Sequence, residues 1–225
     1  MSTQPFDVVR SPRARRMKLA VDPASGRVRL VLPRRAKLAD ALAWADGHQA
    51  WIAAQRARLP EARPFVPGAV VPVAGEPLTL VWRTGAARTP VCDGDTLVVG
   101  GDPEGFAGRV ERWLRREALR LLSAETAEYA ARAGVTVSKV GVGDTRSRWG
   151  SCSSSGGIRY SWRLILAPRH VRRATVAHEV AHRVHMNHSP RFHALVAELY
   201  EGDADAARRW LRSDGATLHW FGRTS

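Results

Sequence analysis

Apolar residues recur along this chain at two spacings, and the change between them separates strand-bearing from helical stretches. Alternation of apolar and polar positions marks strands over residues 18–22 and 27–32, joined by Ser25-Gly26 as a hairpin, with further candidates at 70–73, 78–82 and 96–99. Between them Leu38, Leu42, Ala45, Gln49, Ile52 and Leu59 trace one helix, with Gly47 as its weak point. From Glu104 a long amphipathic helix begins, striped by Val110, Leu114, Ala118, Leu121 and Leu122 and stopped by Gly134 as a C-cap. Strands return at 135–142, around Arg148 and at 158–166, the last preceded by a Ser155-Gly156-Gly157 turn, and two or three helices fill the chain from Pro168 to Leu211. The expected class is α+β. Residues 1–103 form a β-rich part with one helix and residues 104–225 a second part, the Gly100-Gly101-Asp102-Pro103 turn subdividing one compact unit.

The helix opened by Pro168 places Val171, Thr175, His178, His182 and His185 along one face. Residues four apart on a helix hold their Cβ atoms roughly 5–6 Å from one another, so His178 and His182 can reach one tetrahedral ion. Glu179 projects one residue round. There it faces a water beside the ion, the position of a general base. Five residues beyond His182 stands His188, just before Ser189-Pro190, which reads as an N-cap and first helical residue. One helix is therefore expected to end near Asn187 and the next to start at Ser189, with His188 at the bend.

Competing assignments surround this pattern. His185 shares the face of the first two histidines one turn further on, which suits a supporting or substrate-contacting role. Glu198 rivals His188 as third ligand, since two His and a Glu from a following helix also make a catalytic zinc site, although the spacing favours His188. His193, on the same following helix, has packing as its default role. A short HExxH pattern also recurs by chance, and a His on an apolar helix face is more often a hydrogen-bonded core residue than a ligand. The third histidine, the helix and the strand-rich segment upstream shift the balance to a metal site.

Arg148-Trp149-Gly150-Ser151-Cys152-Ser153, Gly157-Ile158, Trp162-Arg163-Leu164 and Ala167-Pro168 lead into His178-Glu179-Val180-Ala181-His182 and then Asn187-His188-Ser189-Pro190-Arg191-Phe192. This combination resembles the YgjP-like metallopeptidases, small bacterial zincins related to the SprT-like proteases, and a weaker likeness runs over nearly the whole chain. The resemblance implies a zincin-like core, His178, His182 and His188 as ligands of one zinc ion, and Glu179 as the catalytic residue. It also suggests that the strand at 158–164 lines the cleft and pairs with an extended substrate. One departure is His193, which stands where the family usually has Trp. A metzincin assignment fails, because His185 replaces the expected Gly and Met occurs only at 1, 17 and 186.

Composition narrows the picture further. At 44% hydrophobic and 25% charged, the 225 residues suit an ordinary globular protein. The start at Met1-Ser2-Thr3-Gln4-Pro5 turns basic by Arg10 without an apolar segment, and no run approaches a membrane span. Cys92 and Cys152 form neither a disulfide framework nor a CxxC pair, so a cytoplasmic, membrane-free setting is expected. Cys152 as nucleophile lacks any local protease signature. The formal charge of +14 is almost wholly arginine, in dispersed clusters that read as solvated surface before they read as a weak electrostatic nucleic-acid site. The expected activity is zinc-dependent hydrolysis of a peptide or protein substrate, with His193, Tyr160 and Tyr200 as candidates for stabilising the oxyanion. The alternatives are a metal-dependent nucleotide or phosphate-ester hydrolase and a non-catalytic nucleic-acid-binding module.

Overall fold

A computed structural model of the chain describes residues 6–224; the reading of residues 1–5 lies outside them. The chain divides into two compact units, Met1–Glu61 and Ala62–Ser225. In the first, β1 (Phe6–Ser11), β2 (Lys18–Val21) and β3 (Val28–Pro33) form a sheet of order β1-β3-β2, with β1 parallel and β2 antiparallel to β3. The hairpin at Ser25-Gly26 is present, Gly26 taking φ +68°, which glycine adopts without a Cβ penalty. Where one helix was expected there are two, α1 (Leu38–Asp46) and α2 (Gln49–Arg56), because the helical ladder breaks at Gly47-His48. Leu19, Val28, Leu30, Leu32, Ala41, Ala45 and Ile52 make this unit's own core.

In the second unit, β4 (Val70–Val73), β5 (Glu76–Trp82), β6 (Val91–Asp93) and β7 (Thr96–Val99) pair in the order β4-β5-β7-β6. The helix α3 (Phe106–Arg132) follows, its 27 residues spanning about 40 Å at 1.5 Å per residue. Gly134 takes φ +63° just past its end. Leu78, Leu80, Leu97 and Val99 of the sheet share one buried cluster with Val110, Leu114, Ala118 and Leu122 of α3. That shared core explains why the division falls between Glu61 and Ala62 and not at the Gly100–Pro103 turn where the sequence pattern changes.

A third sheet, β8 (Lys139–Gly143), β9 (Gly150–Cys152) and β10 (Gly157–Ser161), has the order β8-β10-β9. β10 is shorter than the alternation predicts. Trp162, Arg163, Leu164, Ile165 and Leu166 are all buried, leave no solvated face, and wind into a 3-10 turn. The helix α4 (Arg169–Ala181) carries the first part of the histidine pattern, α5 (Pro190–Leu199) follows the bend, and α6 (Ala204–Ser213) and a 3-10 segment (Gly215–Trp220) complete the unit. α4 is fixed to α3 by a buried ion pair, Arg172 Nη2 to Glu125 Oε1 at 3.0 Å, with Arg172 Nε bonding both carboxylate oxygens. Its inward residues Val171, Val176, Ala177, Val180 and Ala181 join the same core as Trp162 and Leu164.

Candidate metal centre

α4 ends at Ala181, earlier than the sequence predicts, and His182 is its C-cap. The N–H groups of Arg183 and Val184 turn back to the carbonyls of Val180 and Ala181, tightening the chain. This turn has a purpose at the site, because it brings the carbonyl of His185 3.0 Å from Nδ1 of His182. A carbonyl only accepts, so Nδ1 carries the proton and Nε2 is left as a ligand atom. His185 thus supports the site through its backbone. At the other side of the bend, Ser189 caps α5 as expected, its hydroxyl accepting from the N–H of Phe192, with Pro190 at the first helical position.

These two helix ends bring His178, His182 and His188 together, with one nitrogen of each within 4.8 Å of the others. Nε2 of His188 lies 3.2 Å from Nε2 of His178. Two nitrogens bound to one tetrahedral zinc at ~2.05 Å stand about 3.3 Å apart, so this pair already has the spacing of ligands to a shared ion. Burial, with His182, His188 and Arg208 adding to it, pushes the His178 imidazole down to about 4, and burial also lowers His182. Both rings are neutral near pH 7, the form that binds metal. Glu198, the rival ligand, is not in this group.

Phe192 holds the three rings in place. It is fully buried and its ring centre lies 4.9 Å from His178, 4.5 Å from His182 and 4.8 Å from His188, stacked on His182 and edge-on to the others. Its role was not visible in the sequence beyond its place in the first turn after Pro190. His193 packs edge-on to Phe192, with ring centres 5.4 Å apart, and of the three histidines its ring is paired with His188, at 6.3 Å.

Glu179 is buried at 5% exposure, and that burial, opposed by Arg148, pushes its carboxyl up to about 7. It lies against β9. A Cβ at Gly150 would come within 2.5 Å of its Oε1, so the glycine is what admits the carboxylate beside the strand. His178 and Glu179 open into one cavity of about 210 Å³, walled by Trp149, Gly150, Ala174, Val196, Ala207 and Leu211 among others.

A family model for the YgjP-like metallopeptidase domain matches residues 15–214 of the chain. The chain belongs to the YgjP-like family. No curated protein and no solved structure matches it. The mixed α and β architecture is consistent with this YgjP-like metallopeptidase domain, and a metal-dependent peptidase is the activity that the family suggests. Among the described residues, no helix is long and apolar enough to cross a membrane.

Several other residues of this YgjP-like domain stand elsewhere than the sequence suggests. Trp149 lines the cavity, while Trp162 is fully buried. Tyr160 is also fully buried with its hydroxyl 3.0 Å from Thr126 Oγ1, and Tyr200 donates to the carbonyl of His170, so neither lines the cavity as an oxyanion donor. Cys152 has its thiol raised by burial, which holds it protonated and a poor nucleophile. The strand expected to receive substrate, β10, is paired on both sides, with β8 and with β9. The edge strands of this sheet are β8 and β9, and Glu179 lies against β9.

Proposed function

We propose that this protein is a zinc-dependent peptidase in which His178, His182 and His188 hold the ion and Glu179 is the general base. The observation that carries the reading is the meeting of two features in one cavity: a ligand histidine of the converging group and a buried carboxylate whose proton affinity is raised to about 7. A zinc ion bound there supplies Lewis acidity toward the scissile carbonyl and acidifies the attacking water. Glu179 takes the proton of that water and passes it to the leaving amine, so that the peptide C–N bond is exchanged for a carboxyl and an amino terminus. β9 beside Glu179 is an edge strand, suited to an extended peptide whose backbone would complete its unpaired hydrogen bonds.

A phosphate-ester substrate draws less support, because Arg208 is the one arginine among the residues lining the cavity. Substituting Glu179→Gln is expected to keep the metal and to lower peptide turnover by roughly 10²–10⁴, the usual contribution of a general base. Steady-state hydrolysis of an unfolded protein, with zinc content measured on the same samples, checks both halves. Undiminished turnover in the variant removes Glu179 from the mechanism.

A further inference from the structure

The cavity beside Glu179 extends away from the three-histidine cluster into a space with a distinct chemistry. Ala174, Thr175, Val196, Ala204, Ala207 and Leu211, from α4, α5 and α6, line it. Three alanines and a threonine on facing helices leave room that larger side chains would fill. The Thr175 hydroxyl is engaged with the carbonyl of Val171 at 2.9 Å and so adds little polarity. Apart from His178 and Glu179, the one charged residue on the lining is Arg208. It is exposed, and its present partner Asp205 lies 3.4 Å away on the same helix and is itself 70% exposed. An exposed pair of this kind is held weakly, and a substrate carboxylate can take its place.

A second groove continues on the other side of β9, where Ser151 and Cys152 stand with Lys139, Arg148 and Arg159 and no carboxylate among the lining residues. The groove on that side is therefore cationic, while Arg208 is the single cation of the cavity beside Glu179, in a chain of formal charge +14. We infer that the cavity is a specificity pocket for a glutamate side chain flanking the scissile bond, with the aliphatic stem against Ala174, Val196, Ala207 and Leu211 and the carboxylate on Arg208. A stem of two methylenes suits the apolar wall, and a terminal carboxylate gives the guanidinium a charge-assisted partner. The substrates are thus acidic peptide segments. This inference rests on the peptidase reading and refines it.

The test uses the zinc-loaded full chain and a peptide library varied at the residues on both sides of the cut, read by mass spectrometry of new termini, with matched Glu, Gln and Leu peptides for kinetics. The wild type is expected to favour Glu over Gln at one flanking position by about tenfold or more in kcat/KM, the scale of one hydrogen bond to a charged group. Arg208→Ala should bring that ratio close to one, and Arg208→Glu should move the preference to Lys or Arg. Because Arg208 is exposed, neither change disturbs the core. Cleavage with a Glu preference that survives Arg208→Ala, or with Leu preferred over Glu, overturns the pocket assignment while leaving the peptidase standing. A library left uncut by the zinc-loaded wild type overturns the peptidase reading and this one with it.

Discussion

At the scale of single residues, the site depends as much on a missing side chain as on those present. Gly150 has no Cβ where one would meet Oε1, Cγ and Cδ of Glu179 at 2.5–2.7 Å, all of them atoms of the carboxylate arm. Gly150→Ala must therefore push that arm by about an ångström, and a displacement of this size at a reacting group costs roughly 10²-fold. The expected outcome is a kcat/KM loss near that size with zinc stoichiometry intact, measured by steady-state assay beside metal analysis. An unchanged kcat/KM means that Glu179 acts from another position. The sequence carried a faint signal of this contact, a Gly inside an extended Trp149-Gly150-Ser151 run, which marks close approach without saying of what. His178, His182 and His188 were legible because their juxtaposition depends on local spacing along one helix and its following bend. Phe192, Trp149 and Arg208 were not, since what they touch is decided by helices that meet only in the folded chain.

At the scale of elements, α4 is the part on which the site is mounted, and the buried Arg172–Glu125 pair is what ties its first turns to α3. The two side chains are 3% and 6% exposed, so either one left alone is a charge in the core. Breaking such a pair by removing one partner costs about 3–5 kcal/mol, because the remaining charge is buried and unpaired. Glu125→Ala is thus expected to lower unfolding stability by about that amount in a denaturant titration, and a loss below ~1 kcal/mol would contradict the role given to the pair. Element ends were harder to read than element types. Helical periodicity continues to His185, yet α4 stops at Ala181 because the carbonyls of Val180 and Ala181 are taken by i+3 N–H groups in a turn that serves His182. Alternation likewise runs past Ser161, but a segment buried at every position has no solvated side to alternate with, and β10 gives way to a 3-10 turn. Which strand lies at the sheet edge depends on β8 pairing parallel to β10 across intervening chain, a long-range choice that periodicity does not encode.

At the scale of the whole molecule, the chain is two compact units with separate cores, and the histidine cluster, the cavity and β9 all belong to Ala62–Ser225. The change from strand to helix spacing at Glu104 is real as a change of secondary structure, but β4–β7 and α3 bury their apolar faces together, and a shared core outweighs a change of pattern in setting a boundary. Class was therefore easier to read than division. The excess of arginine takes on a more specific meaning beside the site, where Lys139, Arg148, Arg159 and Arg208 line the two hollows on either side of β9.

The central claim is that three imidazoles grip one ion, and zinc content per chain measures it most directly. Purified protein loaded with zinc and freed of excess should hold one ion per chain, as should Glu179→Gln and His185→Ala, the latter because only the backbone carbonyl of His185 touches the site. His178→Ala, His182→Ala and His188→Ala should each lose the ion under the same conditions. Full stoichiometry in His188→Ala, or none in the wild type, contradicts the account.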